Sequence, residues 1–367
     1  MSKPKVVILG GCGFIGRNLV SYLVENDLVS AIRVVDKVPP QVAWLNETHA
    51  RAFSSDLVEF KSANLINPES CKNALQPAPN GAPWDIVVNC AGETKLGQTD
   101  PVYEEGILKL SLNCAKEATQ QGVKHFVELS SGNMHSSDKV SHKEDGPVEP
   151  WTFVAKWKRQ VEKQFVEMSE LPYTILRLPV VYGPGDRNGL MPRIMAAAIY
   201  KRLGEVMKLL WNAELRINTV HVRDVCGAIW FVCNRDDTVG QIYNVVDDVD
   251  STQGSITNVL AELFNVKVDY YGNLVSAVVD LVGAADDAND KHLAPWAEAC
   301  RDSGIQNTPL SPHMDSELLL HKHLRLDGGK LKKLGFEVTV PQPTVENFKE
   351  IVVDFVKMKV FPSSLAP

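Results

Sequence analysis

Residues 5–16 read KVVILGGCGFIG, an apolar run that breaks into glycines and then into a helical pattern. Four consecutive apolar residues after Lys5 suit a strand buried on both faces, and the pattern from Phe14 onward suits an amphipathic helix. Gly10, Gly13 and Gly16 therefore fall at a strand-to-helix turn. Each has a physical task there. Gly10 permits the tight turn, Gly13 lets backbone at the helix N-terminus approach a pyrophosphate, and Gly16 lets helix and strand pack closely. Glycine spacing alone is a weak signal, but this one stands in the strand–turn–helix order that phosphate binding requires. The next apolar run ends in Asp36 (RVVD), twenty residues beyond Gly16. A carboxylate at that point can accept both ribose hydroxyls of NAD and would repel the extra phosphate of NADP. Arg17 and Lys37 flank it and could offset that repulsion, so NAD is the expected cofactor and NADP the less favoured one.

The same grammar extends outward. Val58–Lys61, Asp85–Val88, His125–Leu129 and Tyr173–Leu178 read as further strands. Between them, 102–120 and 152–168 have helical periodicity. Apolar strands alternating with helices imply an α/β fold, a Rossmann-type doubly wound parallel sheet. Beyond residue 180 come a glycine-rich loop (GPGDRNG, 183–189), a helix near 190–202, a strand at 217–220, a helix at 224–233 and a strand at 242–245. The stretch 272–326 has weak periodicity and three prolines, and reads as an elaborated lid; helix returns near 326–336 and at 345–357. The expected division is a dinucleotide-binding domain over 1–180 with returns near 217–246. A smaller, discontinuous substrate lobe would take 181–216 and 247–367.

Composition narrows the partners. A net charge of −7 gives no basic footprint for nucleic acid or anionic membrane. Seven scattered cysteines without CxxC spacing suit a reducing compartment. No apolar run reaches membrane-spanning length, and the N-terminus lacks a signal-peptide pattern. The expected location is cytoplasmic, with the mitochondrial matrix as the alternative.

With these landmarks, the chain resembles the extended short-chain dehydrogenases/reductases, the NAD-dependent epimerase/dehydratase family of nucleotide-sugar epimerases, dehydratases and hydroxysteroid dehydrogenases. The resemblance rests on GGCGFIG (10–16), ANLIN (63–67), NCAG (89–92), FVELSSGN (126–133), RLPVVYGPGDR (177–187), INTVHVRDVCGAI (217–229) and LDGGKLKKLGF (326–336). It implies cofactor contacts from the backbone of Gly10, Gly13, Phe14, Ile15 and Gly16, from Asp36, and from Asn64, Leu65 and Ala91. It also implies that Lys156 holds the nicotinamide ribose.

The family's chemistry uses a Tyr-x-x-x-Lys pair on one helix face. The lysine charge lowers the tyrosine pKa, so that a phenolate takes the substrate proton as hydride leaves. Aligned on Lys156, the tyrosine position holds Thr152, and no tyrosine in the chain has a lysine four residues on. The supporting Ser/Thr near the fifth strand aligns with Gly132, with Ser130 and Ser131 just before it, and a substrate-side asparagine is replaced by Val180. Lys156, Thr152, Ser131 and Tyr182 are the catalytic candidates, with His135 and His221 as substitute acid/bases. Two functions follow. One is an atypical oxidoreductase, epimerase or dehydratase acting on a sugar nucleotide or another hydroxylated small molecule. The other is a catalytically degenerate dinucleotide-binding subunit of a larger assembly, structural or redox-sensing.

His321 and His323, with Asp315 and His313 nearby, have no third ligand at a typical metal spacing, so no metal is expected. Phe153, Trp157, Val161 and Phe165 recur every four residues as an apolar stripe. The family resemblance implies that this helix pairs with a symmetry mate, so a homodimer, or a larger protein assembly using the same face, is expected.

Overall fold

The computed structural model describes residues 3–77, 81 and 83–367. In chain order the first half comprises β1 (Lys5–Leu9), α1 (Phe14–Glu25), β2 (Ala31–Asp36), α2 (Glu47–Phe53), β3 (Val58–Ser62), α3 (Pro68–Leu75), β4 (Ile86–Asn89), α4 (Asp100–Tyr103), α5 (Leu110–Gln120), β5 (His125–Ser131), α6 (Phe153–Glu167) and β6 (Tyr173–Leu178). There follow β7 (Val180–Tyr182), α7 (Met191–Leu203), β8 (Met207–Leu209), β9 (Thr219–His221), α8 (Val222–Cys233), β10 (Gln241–Asn244), α9 (Gln253–Phe264), β11 (Val268–Tyr270), α10 (Gly272–Ser276), α11 (Leu281–Asp302), α12 (Gly329–Lys333) and α13 (Val345–Lys357).

Seven parallel strands make the central sheet in the order β3-β2-β1-β4-β5-β6-β10, the doubly wound arrangement expected from the sequence. Its apolar strands are continuous because both faces are covered. Val6, Ile8, Ile32 and Val34 pack against Leu19 and Leu23 of α1 and Val225 and Ile229 of α8. Val7, Leu9 and Val35 pack on the other side with Cys114 and Ala118 of α5 and Val161 and Phe165 of α6. A separate core gathers Ile194 and Met195 of α7, Leu260 and Phe264 of α9, Trp296 of α11 and Phe348, Ile351 and Phe355 of α13. The chain runs from β1 outward through β2 and β3, then crosses back to β4. This switch point leaves a crevice at the carboxyl ends of β1 and β4, with Leu9 opposite Val35 on one side and Asn89 on the other.

Two segments depart from their sequence reading. Residues 102–120 form α4, a π-helical turn over Glu104–Lys109, and α5. At the turn, the Glu93 amide donates to the Gly106 carbonyl at 3.0 Å, and a Cβ on Gly106 would stand 2.7 Å from Glu93 Cβ. Glycine there admits the loop after β4. The weakly periodic stretch 272–326 contains the 22-residue helix α11. Its buried stripe includes Asn289 and His292, and Pro295 lies inside it, which masks the apolar period.

Candidate functional site at the switch point

Gly10 adopts φ +70°, where an L side chain is strained, and a Cβ on it would sit 2.7 Å from Ala91 backbone. A Cβ on Gly16 would overlap the Gly10 carbonyl. The β1–α1 turn, the β4 terminus and the helix can therefore meet only without side chains at these points. Gly13 is the N-cap of α1 and provides no side-chain cap, nor is there an acidic residue in the first turn. The first-turn amides at Phe14, Ile15 and Gly16 are thus left to an external anion, and the cradle fits a pyrophosphate.

Asp36 ends β2 beside this turn. Its Oδ2 accepts the Cys12 amide and its Oδ1 the Val38 amide, each at 3.0 Å, so the carboxylate is fixed against the glycine turn while keeping lone pairs for a ribose. Arg17 lies within electrostatic reach of it but gives its hydrogen bonds to backbone. The Arg17 guanidinium is buried and donates to the carbonyls of Gly13, Cys12, Ala43 and Trp44. Lys37 is exposed. Asn64 is also exposed, its Oδ1 accepting the Ile66 amide at 3.3 Å, whereas Leu65 is buried. Ala91 lies against Gly10, its amide donating to Asn89 Oδ1 at 3.1 Å.

The register of α6 differs from the sequence alignment. Lys156 is exposed, its ammonium 4.6 Å above the Phe153 ring, on the helix face away from the sheet. Lys158 points inward. It is 6% exposed, its Nζ is 2.8 Å from Glu128 Oε1, and a Cβ on Gly92 would lie 3.7 Å from that Nζ. Of the two lysines, Lys158 is the one beside Gly92, just past the end of β4, and Lys156 is the exposed one. The residue four positions before Lys158, on its face, is Val154. Thr152 is the N-cap: its Oγ1 accepts the Ala155 amide at 3.1 Å, an end-of-helix task rather than a place in the crevice. Neither lysine has a tyrosine four residues earlier: Thr152 precedes Lys156 and Val154 precedes Lys158.

The remaining candidates separate cleanly. Ser131 ends β5 at the crevice, half-buried, its Oγ accepting the Asn133 amide at 3.1 Å. Tyr182 is fully buried between His221 and Phe348, with ring centroids 5.1 and 5.9 Å away, and burial drives its pKa far up. Its hydroxyl is buried without a hydrogen-bond partner among the described residues. His221 caps α8, with Nδ1 accepting the Arg223 amide; burial lowers its pKa to about 4. His135 lies 5.4 Å from His142, ring to ring, and its Nδ1 is buried without a hydrogen-bond partner.

Sequence reasoning passed over the groups around Lys158. Glu128, fully buried on β5, also accepts from Asn89 Nδ2 at 2.6 Å and Ser111 Oγ at 3.2 Å. A second buried layer lies beside it, where Glu162 accepts from Arg177, Arg159 and Ser130. The signal was present in the sequence: Ala155, Lys158, Val161, Glu162 and Phe165 share one helical face, and charged residues on an apolar face announce buried partners. Glu317 of the lid was also missed. Its Oε1 accepts the Phe153 amide at 2.9 Å, its Oε2 is buried without a partner, and burial raises its pKa.

Val161 and Phe165 of the predicted interface stripe are buried against the sheet, leaving Phe153 as its exposed member. His321 stacks on Trp211 at 4.3 Å and His323 Nδ1 accepts the Arg216 amide. Among the described residues, no helix is long and apolar enough to cross a membrane.

The fold has counterparts among known proteins. UDP-glucose 4-epimerase of Thermus thermophilus, solved in complex with NAD, superposes with a TM-score of 0.65 at 21% identity, covering 96% of this chain and 99% of that one. The dTDP-glucose 4,6-dehydratase of Streptomyces venezuelae, solved with NAD bound, gives 0.69 at 19% identity over 96% and 97% of the two chains. In sequence, sterol-4-alpha-carboxylate 3-dehydrogenase (decarboxylating) of Saccharomyces cerevisiae is 25% identical over 54% of this chain, a match spanning 57% of the yeast protein's length. The model of the NAD dependent epimerase/dehydratase family matches residues 6–245, well over half of the sequence, and the chain belongs to that family.

Proposed function

We propose that this protein binds NAD(H) in preference to NADP(H) and acts as an oxidoreductase, epimerase or dehydratase on a hydroxylated small molecule, with sugar nucleotides the first class to test. The observation that carries the reading is the cradle of Gly10, Gly13 and Gly16 with Asp36 fixed against the Cys12 amide. The free first-turn amides would hold the pyrophosphate, Asp36 the adenosine ribose, and Lys158 the nicotinamide ribose; Asn64, Leu65 and Ala91 would flank the dinucleotide. Arg17 commits its guanidinium N–H groups to four carbonyls, so it offers no hydrogen bond to a 2′-phosphate, and the Asp36 carboxylate favours the ribose hydroxyls of NAD. When bound, NAD would supply the hydride acceptor. Ser131 Oγ is placed to donate a hydrogen bond to a substrate oxygen. With valine at the tyrosine position, the proton must go elsewhere, and Glu317 Oε2 at the N-terminus of α6 is the acid/base candidate.

On this reading, residues 1–180 with the return at 217–246 form the cofactor half. Residues 181–216 and 247–367 form the substrate half. The exposed Phe153, Val102 and Val166 along α4 and α6 give a homodimer or a larger assembly a surface to use. Membership of an enzyme family lends no support to a non-catalytic subunit.

The test is to purify the protein, identify any retained dinucleotide by mass spectrometry, and follow reduced-nicotinamide absorbance with a panel of sugar nucleotides and hydroxysteroids. Bound NAD with turnover of one panel member is the expected result. Failure to bind any dinucleotide would remove the reading, and binding without turnover of any hydroxylated compound would favour the non-catalytic one.

A further inference from the structure

Lys158 enters the crevice from below, and the groups that hold it are unusual for a lysine expected to face a ligand. Its side chain is 8% exposed and its carboxylate partner Glu128 is 0% exposed. Glu128 Oε1 takes the ammonium at 2.8 Å and the Ser111 hydroxyl at 3.2 Å, while Oε2 takes Asn89 Nδ2 at 2.6 Å. Asn89 in turn donates to Ser111 Oγ at 3.1 Å and accepts the Ala91 amide through Oδ1 at 3.1 Å. Ala91 is the residue against which Gly10 closes. One hydrogen-bonded unit therefore joins the lysine to the floor of the dinucleotide cradle. The ammonium lies next to Gly92, where a Cβ would stand in van der Waals contact with Nζ at 3.7 Å.

A buried ammonium is disfavoured by desolvation and stays charged only beside a fixed opposite charge. A buried carboxylate held by three hydrogen bonds is fixed in place, so it fixes the position of the ammonium as well as its charge. We propose that Glu128 is a positioning residue for dinucleotide binding, holding Lys158 in place and cationic beneath Gly92 so that its remaining N–H groups meet the ribose. This inference rests on the reading that Lys158 faces a dinucleotide. The same pairing explains why the helix can do without a tyrosine at 154. The ammonium charge is already balanced by Glu128 and is not there to lower a phenol's pKa.

Two thiols lie beside the pair, and both are held well above neutrality. Burial pushes the Cys90 thiol, just after β4, up to about 12, and the hydrogen bond with Cys71, with burial, raises Cys114 of α5 well above its usual value. Glu162, one turn along α6, is paired with Arg177 of β6 and Arg159. Any pH dependence introduced by changing Glu128 therefore reports on Lys158.

The test is titration of the full-length protein with NADH, followed by fluorescence, at pH 6.5, 7.5 and 9. The wild type should bind with a Kd that changes by less than about twofold across this range. Glu128→Gln should bind more weakly, and its Kd should rise by about tenfold or more between pH 6.5 and 9 as the stranded ammonium loses its proton. Lys158→Met and the Glu128→Gln/Lys158→Met double variant should bind weakly with flat profiles. Should Glu128→Gln not fold, Glu128→Asp serves: it keeps the charge but draws the ammonium back, so weaker binding with a flat profile is expected. Wild-type affinity and a flat profile in Glu128→Gln, or equal weakening at every pH, would overturn the proposal, as would wild-type affinity in Glu128→Asp. A wild-type protein that binds no dinucleotide would overturn the reading of the crevice itself.

Discussion

Lys158 Nζ lies 2.8 Å from Glu128 Oε1 at the carboxyl edge of the sheet, while Lys156, two residues earlier, stands on the outer face of the same helix above Phe153. On the proposed reading, this difference in facing separates the residues of α6 that face the cofactor from those that do not. Position 154 shares the inner face with Lys158, and position 152 shares the outer face with Lys156.

Thr152→Ala should therefore act on stability and not on the site. Losing the hydroxyl that accepts the Ala155 amide should cost about 1 kcal/mol, read from the denaturant midpoint. Dinucleotide affinity should stay within about twofold of wild type, since the hydroxyl makes no contact in the crevice. A large loss of affinity without loss of stability would show that Thr152 is a site residue.

The glycines should respond differently from one another. Gly16→Ala drives a methyl group into the Gly10 carbonyl and should impair folding, seen as a lowered melting temperature. At Gly13 the added Cβ would meet only the Gly10 carbonyl, at 3.0 Å, so Gly13→Ala should fold. Its methyl would instead crowd the pyrophosphate, and affinity for NADH should fall by about tenfold.

How much of this was legible in the sequence depends on what constrains each residue. The glycine turn was legible because backbone contacts at Gly10 and Gly16 admit no other residue type, and Asp36 because it ends a recognisable strand. The α6 register was not, because two lysines stand two residues apart and each has an i−4 neighbour. Only burial separates them. The inner face carries Lys158 and Glu162 among Ala155, Val161 and Phe165, and its charges are tolerated because Glu128 and Arg177, distant in sequence, neutralise them. Helix α11 was hidden for a related reason. Asn289 on its buried face clamps the Met314 backbone at both N–H and C=O, and a pattern built on apolar residues does not register such a contact.

Asp36→Ser should relax cofactor choice. Removing the carboxylate takes away its repulsion of a 2′-phosphate, so the ratio of NADPH to NADH dissociation constants should fall by about tenfold or more. An unchanged ratio would mean that discrimination lies elsewhere in the crevice.

Asp247 provides a pH prediction. It is buried, its Oδ2 accepts the Thr219 hydroxyl at 2.5 Å, and burial raises its pKa to about 7. A carboxyl whose folded pKa exceeds its unfolded value contributes stability below the unfolded pKa, near 4, and loses it as pH rises to about 7. The loss is about 1.4 kcal/mol for each pH unit between the two values. Urea melts of wild type and Asp247→Asn should therefore diverge in that window, with the variant gaining relative stability as pH rises. Parallel curves would show that Asp247 ionises normally.

The most direct test of the account compares Lys156→Ala with Lys158→Met by NADH titration at neutral pH. A charged hydrogen bond to the ribose is worth about 1.5–3 kcal/mol. Lys158→Met should therefore bind at least about tenfold more weakly than wild type, and Lys156→Ala within about twofold of it. Weak binding by Lys156→Ala together with unimpaired binding by Lys158→Met would contradict the placement of the site.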